Sequence, residues 1–320
     1  MTQLSRSLVT AAPLPEPVQD ALHAVENLMH DIVNSDVAVL RDASRHILGA
    51  GGKRVRPRLL LLAYAAVGGE QIDRAVPVAA ALELVHTASV VHDDINDHGV
   101  VRRGRPSVNS IWGRTFALLT GDYLFTKVYE LMAPYRDLNI PFADATIALV
   151  EGETMQAAAV KDNNFTRQTY YEIIARKTAA LFRAGGILAA RLAGGTREQE
   201  EALAQYSFNI GLAFQIVDDV LDLVGDPEKL GKTSGIDLEQ GRGYAAAYVT
   251  DQPDALPAVD DADPMASIKR RVLKGDAIKE AREQAHNLVQ LAVASLDVLP
   301  DSDAKNGLID LAYQIVERDF

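Results

Sequence analysis

The sequence predicts an all-α fold, a single-domain bundle of about ten or more helices. Alternating patterns typical of strands are nearly absent, and helix breakers fall between long periodic runs. Some of these runs are rich in alanine and apolar on most faces, which is typical of helices in the middle of a bundle. Apolar residues recur every three or four positions in the runs 78–92, 116–132, 142–158, 171–192, 201–224 and 278–299.

The chain is predicted to form one domain, because no linker is long or polar enough to divide it. Residues 251–265 are acidic and rich in proline, but too little chain follows them for a second domain, so we expect a surface loop. Residues 1–17 contain three prolines and are expected to form a loose lead-in. The domain itself is expected to span 18–320.

Composition excludes several classes of protein. The 320 residues include 44 acidic and 32 basic side chains, giving a net charge of -12, so nucleic-acid binding is not expected. Cysteine is absent, which excludes disulfides and thiolate metal sites and suits a reducing cytoplasm, the predicted location. We expect neither a signal peptide nor an integral membrane segment, since no apolar run reaches eighteen residues.

Two aspartate clusters of the form D-D-x-x-D lie within helical runs, HDDIND at 92–97 and VDDVLD at 217–222. Asp93 and Asp97 are four residues apart on one helix face, as are Asp218 and Asp222. Like charges at that spacing destabilise a helix by a few tenths of a kcal/mol. A solvated acidic face could explain one cluster. Two such clusters, each following apolar residues, indicate a hard cation such as Mg²⁺ that also binds phosphate.

Basic residues concentrate near these clusters despite the acidic net charge. The segments GGKRVRPR at 51–58 and RRGR at 102–105 are the densest, while Lys177 lies in an apolar helix and Lys232 in a glycine-rich turn. Each could be ordinary surface charge, and a lysine such as Lys177 can extend its ammonium to solvent. Together with two Mg²⁺ sites they predict a pocket for polyanions. No P-loop pattern is present.

These motifs, in their order and spacing, resemble those of the trans-polyprenyl diphosphate synthases, the E-type isoprenyl diphosphate synthases that make geranylgeranyl or longer diphosphates. The resemblance runs from Gly51 to Gly241 and rests on GGKRVRP, ELVHTASVVHDDIND, RRGRPSVN, GDYLF, EGE with MQ, RKTAALF, FQIVDDVLD and GKTSGIDLEQG, with a weaker echo in YQIVERDF. It implies the isoprenoid synthase type I fold, a deep central cavity and a homodimer.

The resemblance also implies a reaction and residue roles. Isopentenyl diphosphate would be condensed with a C5 to C20 allylic diphosphate by Mg²⁺-dependent ionisation, condensation and elimination. Two or three Mg²⁺ ions would be bound by Asp93, Asp97, Asp218 and Asp222. Isopentenyl diphosphate would be bound by Lys53, Arg56, His86 and Arg103. The allylic diphosphate would be bound by Arg102, Lys177, Thr178, Gln215 and Lys232. Release of a long product is compatible with peripheral membrane contact.

Product length is predicted from the helix turn before the first aspartate motif. In the family the growing tail passes this turn, and bulky aromatics there stop growth early. Ala88 and Ser89 are small, so we expect a product of C20 or longer, with C30–C50 as plausible as C20. Candidates for a deeper floor are Phe125, Ile147, Val150 and Met155.

Arg242 is the main departure from the family pattern, since it stands where many members have a lysine. This leaves the substrate role of its segment open. Two other functions remain as alternatives. A class I terpene cyclase would ionise the same substrate without consuming isopentenyl diphosphate, and a regulatory subunit of a prenyltransferase would be inactive alone. Both are disfavoured, because cyclases usually carry one aspartate motif and silent subunits usually lose one.

Overall fold

The computed structural model describes residues 13–224, 236–251, 268–269 and 272–318. Helices dominate this part of the chain, as predicted. The first ten are α1 (Glu16–Ile32), α2 (Ala38–Leu48), α3 (Val55–Val67), α4 (Val76–Asn96), α5 (Val108–Trp112), α6 (Arg114–Met132), α7 (Asn139–Lys161), α8 (Arg167–Ile174), α9 (Ala180–Leu192) and α10 (Arg197–Val224). Four more follow, α11 (Ile236–Glu239), α12 (Gly243–Asp251), α13 (Ala277–Ser295) and α14 (Asp303–Val316).

Short elements connect several of these helices. Single 3-10 turns cover Ile72–Arg74 and Leu296–Val298, and one π-helical turn covers Ala175–Ala179. The segment Ala133–Leu138 is also 3-10 helical but is kinked at Tyr135 and Arg136. The strands in the described residues are two residues each, β1 (Val101–Arg102) and β2 (Arg105–Pro106), paired antiparallel after α4. Because α1 begins at Glu16, the last two residues of the predicted lead-in are helical.

Helix α4 forms the centre of the bundle and is buried on nearly every side. It packs against α6, α3 and α1, while α10 packs against α9 and α13. Residues 72–96 include the only described helix long and apolar enough to cross a bilayer. Since 78% of its most apolar window is buried inside the protein, the stretch behaves as a core helix.

Close backbone approach brings the central helices together. A Cβ atom at Gly211 on α10 would lie 2.6 Å from Cα of Ala179, in the π-helical turn before α9. A Cβ at Gly121 on α6 would lie 2.2 Å from Nε2 of His92 on α4. Glycine at these positions therefore lets α10 and α6 pack closely against their neighbours.

A buried ion-pair cluster joins α1, α3 and α4. Arg54 donates from Nη1 to Oε1 of Glu83 at 3.0 Å and from Nη2 to Oε2 of Glu26 at 3.0 Å. The side chains of Arg54 and Glu83 are only 9% and 3% exposed. Arg54 therefore joins these helices, although it lies within the basic segment 51–58, and its loss would leave Glu83 with a buried charge and no partner from Arg54.

Candidate active site

The first aspartate motif lies at the C-terminal end of α4, where Asp97 is the C-cap. Its N–H donates to the carbonyl of Asp93 at 2.8 Å. The carbonyl end of a helix carries partial negative charge, and carboxylates there add to it. This end of α4 therefore requires cations, and the described chain itself supplies three, namely Lys177, Arg242 and Arg102.

Lys177 is the first of these cations. Its Nζ lies 2.9 Å from Oε2 of Glu153 on α7 and 3.7 Å from Oδ2 of Asp93. The π-helical turn that carries Lys177 packs against α7 at Gly152, where a Cβ would lie 2.5 Å from the backbone N of Lys177. This close approach places Glu153 beside the lysine. Burial raises the pKa of Glu153 to about 7; Lys177 opposes this shift and Asp93 adds to it.

Arg242 is the second cation. Its Nη1 and Nη2 donate to the two oxygens of Asp97 at 2.6 and 2.8 Å, and its Nε donates to Oδ1 of Asp237 at 2.8 Å. The residue that departs from the family pattern thus binds the first aspartate motif directly. A bidentate guanidinium–carboxylate pair is a strong, geometrically specific contact.

The second aspartate motif occupies the last turns of α10. Asp218 is exposed, while Asp222 is only 2% exposed and accepts a hydrogen bond from the N–H of Asp237 at 3.3 Å. Asp219 accepts from Nε2 of Gln215 at 2.8 Å and from the N–H of Tyr244 at 2.9 Å. Burial, reinforced by Asp237, raises the pKa of Asp219 to about 7. Asp219 and Asp222 therefore connect α10 to the segment that carries Arg242.

The middle aspartate of the first motif has a similar structural role. Asp94 is 1% exposed, and its Oδ1 accepts from Nε and Nη2 of Arg102 at 2.9 and 2.6 Å. This pair fixes the β1–β2 hairpin against the end of α4. It also positions Arg102 beside the first motif, whereas the guanidinium of the next residue, Arg103, lies against Gly52.

Thr178 and Gln215, both predicted to bind the allylic diphosphate, lie together. The hydroxyl of Thr178 donates to Oε1 of Gln215 at 2.8 Å, and Gln215 in turn donates to Asp219. The chain of hydrogen bonds orients the Gln215 amide between the π-helical turn and α10.

The residues predicted to bind isopentenyl diphosphate carry more positive than negative charge. Burial lowers the pKa of Arg56 to about 10, although Glu83 and Asp218 act in the opposite direction. Burial and the surrounding guanidinium groups of Arg56 and Arg103 lower the pKa of His86 well below its ordinary value. Cations that depress each other's pKa values form a site that an anion would stabilise.

Two aromatic rings support this cationic pocket. Phe182 and Phe214 lie 5.5 Å apart. The guanidinium carbon of Arg56 is 4.6 Å from the Phe182 centroid, and that of Arg318 is 4.4 Å from the Phe214 centroid. Arg318 also lowers the pKa of Lys53, after the larger effect of burial. The C-terminal segment therefore adds a cation to the pocket.

The carboxylates of both motifs fit Mg²⁺ by their donor chemistry. Their oxygens are hard ligands, and the buried Oε1 of Glu153, beside Asp93, has no hydrogen-bond partner among the described residues. Within those residues no three acidic or histidine side chains form a closed metal cage. Mg²⁺ needs only one or two carboxylates when waters and phosphate oxygens complete its shell.

The structure brings most of the predicted residues together, with some exceptions. Lys232 lies outside the described residues, as does most of the predicted loop 251–265. Ala88 and Ser89 are both buried, and Ser89 donates to the carbonyl of His86 at 2.9 Å. Of the candidates for a deeper floor, Ile147 and Val150 lie on an exposed face of α7, whereas Phe125 and Met155 pack against the core.

Sequence reasoning assigned no role to Glu153, Asp219, Asp237 or Arg318. Glu153 lies in the EGE segment and Arg318 in the C-terminal echo, so each was within a recognised motif. Their contacts were not readable, because the partners Lys177, Tyr244 and Phe214 lie on other elements.

Comparison with known proteins identifies the family. Residues 37–251 match the family model described as "Polyprenyl synthetase". The chain belongs to the polyprenyl synthetase family. It is 36% identical to an octaprenyl diphosphate synthase of Haemophilus influenzae over 90% of this chain and 91% of that protein. It is 37% identical to heptaprenyl diphosphate synthase component 2 of Geobacillus stearothermophilus, over 95% and 97% of the two chains.

A solved structure agrees with the sequence relatives. A polyprenyl synthase from Caulobacter crescentus, complexed with calcium and isoprenyl diphosphate, superposes with a TM-score of 0.86 at 30% identity, covering 95% of this chain and 96% of that one. The isoprenoid synthase fold and the trans-prenyltransferase class predicted from the sequence are therefore confirmed. Prenyl diphosphates are the substrates of this family, which is generally magnesium-dependent.

Proposed function

We propose that the enzyme condenses isopentenyl diphosphate with an allylic diphosphate in trans and releases a product of C20 or longer. The observation that carries this proposal is the pairing of two acidic helix ends with a separate cationic pocket. Residues 242–244 connect the two acidic ends, since Arg242 binds Asp97 and the N–H of Tyr244 binds Asp219. Two substrates, each with a diphosphate, need two anion-binding sites. The acidic helix ends with bound metal would form one site, and the cationic pocket would form the other.

The isopentenyl diphosphate is assigned to Lys53, Arg56, His86 and Arg103. In support, Arg56 is 8% exposed, and no ion pair to it is found in the described part of the chain. An incoming diphosphate would complete its charge balance. Neutral His86 can donate a hydrogen bond without adding a further positive charge to the crowded pocket.

The allylic diphosphate is assigned to Arg102, Lys177, Thr178, Gln215 and Lys232, together with the metal face of Asp93, Asp97, Asp218 and Asp222. Lys177 is the best supported of these residues. Burial by itself would lower its pKa, yet Asp93 and Glu153 raise the pKa above the ordinary value, so the ammonium stays charged. A charged lysine beside the leaving diphosphate stabilises the negative charge that develops there.

The chemistry divides between bound metal and protein. Two or three Mg²⁺ ions would supply Lewis-acid neutralisation of the leaving diphosphate. Lys177 and Arg102 add fixed positive charge. The apolar interior of the helical bundle excludes water, which would otherwise react with the allylic cation. The proton lost after carbon–carbon bond formation can go to a diphosphate oxygen, so no protein base is needed.

Product length is proposed from the small residues before the first motif. Ser89 lies four residues before Asp93 and shares its helix face, so it is the better candidate for the tunnel wall. Ala88 lies four residues before His92, which packs against α6. The named products of the relatives range from geranylgeranyl to heptaprenyl and octaprenyl diphosphate, which supports a product of C20 or longer and leaves C20 and C30–C50 both open.

A homodimer is proposed from the outer faces of α6 and α7. Each of these helices is apolar on several sides, including one that faces away from the core. A second copy of the chain would cover large apolar side chains that are at least two-fifths exposed. They are Phe116, Leu118, Leu119, Tyr129, Ile140, Ile147 and Val150. A cytoplasmic location is proposed from the absence of cysteine.

The test is an elongation assay on the purified chain. The protein is incubated with Mg²⁺, excess isopentenyl diphosphate and, separately, C5, C10, C15 and C20 allylic diphosphates. Dephosphorylated products are then sized by chromatography. A ladder that ends at one length of C20 or more is the expected result. Hydrocarbon formation without consumption of isopentenyl diphosphate would favour a terpene cyclase, and no product from the chain alone would favour a regulatory subunit.

A further inference from the structure

Arg242 and Asp97 form a bidentate pair at the position where a metal ion would bind. Both carboxylate oxygens of Asp97 accept from this one guanidinium, at 2.6 and 2.8 Å. The side chains are 15% and 23% exposed, so the pair is largely shielded from water. Shielding strengthens the attraction compared with a surface ion pair.

The guanidinium is held from both directions. Its Nε donates to Asp237, and Asp219 accepts from the N–H of Tyr244, two residues along the chain. Gly243 lies between Arg242 and Tyr244 and has φ +78. A Cβ atom added to it would lie 3.4 Å from a carboxylate oxygen of Asp219. A side chain at this position would be strained and crowded. The turn therefore fixes the backbone of Arg242 relative to the second motif, while the two Nη atoms of Arg242 reach Asp97 in the first motif.

The remaining charges around Asp97 do not replace this contact. Asp93 is balanced by Lys177, and Asp94 is balanced by Arg102. Arg242 is thus the cation that neutralises Asp97 among the described residues. Burial alone would lower the pKa of Arg242, but the bonds to Asp97 and the charge of Asp237 raise it, so the guanidinium is always charged.

We propose that Arg242 is an internal counter-ion that a divalent metal must displace from Asp97, so that the first aspartate motif accepts metal together with a diphosphate and binds metal alone only weakly. The guanidinium uses one lone pair on each oxygen of Asp97, and its positive charge repels a divalent ion, so the two cations compete for this carboxylate. The displaced guanidinium would keep its hydrogen bond to Asp237, and its two free Nη groups would need a new anion, which the diphosphate supplies. This inference rests on the proposed function, because it takes the metal to bind at Asp97.

The test measures metal binding directly, with Mn²⁺ as a paramagnetic substitute for Mg²⁺. Free Mn²⁺ is titrated by electron paramagnetic resonance in the wild type, Arg242→Gln and Arg242→Lys, with circular dichroism to check the fold. Arg191→Gln is the matched control, since Arg191 makes a bidentate pair with Glu200 at 3.0 and 2.7 Å, away from the site. Each titration is repeated with inorganic pyrophosphate, correcting for Mn²⁺ held by pyrophosphate in solution.

Arg242→Gln is expected to bind Mn²⁺ alone about tenfold or more tightly than the wild type, because a charged hydrogen-bonded competitor is lost. The Mn²⁺ affinity of Arg242→Lys, whose ammonium is a point charge, should lie between those of the wild type and Arg242→Gln. The Mn²⁺ affinity of Arg191→Gln should equal that of the wild type. The gain in Mn²⁺ affinity caused by pyrophosphate should shrink in Arg242→Gln.

Two results would overturn the inference in distinguishable ways. If the wild type binds Mn²⁺ with pyrophosphate but Arg242→Gln shows no gain for Mn²⁺ alone, Arg242 is not the competitor and the proposed function stands. If Arg242→Gln fails to fold, an unchanged affinity in Arg242→Lys has the same meaning. If the wild type binds no Mn²⁺ even with pyrophosphate, the metal site and the inference both fail.

Discussion

The ammonium group of Lys177 lies 3.7 Å from the carboxylate of Asp93. The two residues come from distant parts of the chain, α4 and the π-helical turn before α9. A π-helical turn inserts one residue into the helical repeat, which redirects the side chains that follow it. Here it accompanies the placement of a charged lysine beside the motif expected to bind metal.

Replacing Asp93 with alanine should reduce turnover by orders of magnitude, because it removes a metal-binding carboxylate and the partner of Lys177. The rate of isopentenyl diphosphate consumption, measured beside a circular dichroism spectrum, checks this. Asp20→Ala on the exposed side of α1 is the control and should be fully active. Near-normal turnover of folded Asp93→Ala would contradict the metal assignment.

Replacing Phe214 with leucine should raise the KM for isopentenyl diphosphate about three- to tenfold, because the ring that supports Arg318 is lost. The KM for the allylic substrate should change little. Phe165→Leu is a control, since the Phe165 ring centroid lies 6.5 Å from that of Tyr170 and no arginine or lysine of the described residues lies over the Phe165 ring. Phe214→Trp keeps an aromatic ring beside Arg318, so its KM for isopentenyl diphosphate should stay close to that of the wild type. A parallel rise in both KM values would indicate a general loss of structure instead.

Replacing Arg54 with methionine should lower the free energy of unfolding by about 3–5 kcal/mol, because Glu83 would keep a buried charge without its partner. Urea denaturation measures the change. The double variant Arg54→Met, Glu83→Gln removes that charge and should recover part of the loss. A single variant within about 0.5 kcal/mol of the wild type would show that the cluster contributes little.

A bulky residue in the turn before Asp93 should shorten the product. Ser89→Phe should move the end of the product ladder to a shorter length, because residue 89 shares the face of Asp93. Ala88→Phe should shorten it too, but is expected to cost about 1–3 kcal/mol of stability by overpacking, since Ala88 is fully buried. An unchanged ladder in either folded variant would show that the residue does not line the tunnel.

His86 should make the substrate-free enzyme less stable in mild acid. Burial and neighbouring arginines hold its pKa below the ordinary 6.5, so the folded state binds fewer protons than the unfolded state. Stability is therefore complete above about pH 6.5 and falls as the pH drops below it. His86→Gln should lose less thermal stability between about pH 7.5 and pH 5.5 than the wild type. His23→Gln, at an exposed position, should behave as the wild type does, and an equal loss in His86→Gln would refute the assignment.

Helix positions and the two acidic motifs were predictable because their signals are local. The period of three and four identified the runs that became α4, α6, α7, α9 and α10. The spacing of four placed Asp93 and Asp97 on one face whatever the surrounding fold. The β1–β2 hairpin was not predicted, since two residues per strand are too few for a pattern.

The division of labour within each motif was not predictable. Asp94 and Asp219 look like their neighbours in the sequence, yet they bind Arg102 and the N–H of Tyr244, whereas Asp218 is exposed. Which oxygen finds which partner depends on how separate elements meet, and a local pattern contains no such information.

The sequence by itself thus determined the helical class, the acidic and basic motifs and, through them, the family. Only the tertiary structure decided that Arg242 neutralises Asp97, that Glu153 accompanies Lys177 and that Arg318 stacks on Phe214. The physical reason is range. Helix periodicity and charge repulsion act over a few neighbouring residues, whereas these ion pairs and ring contacts join side chains that only packing brings together.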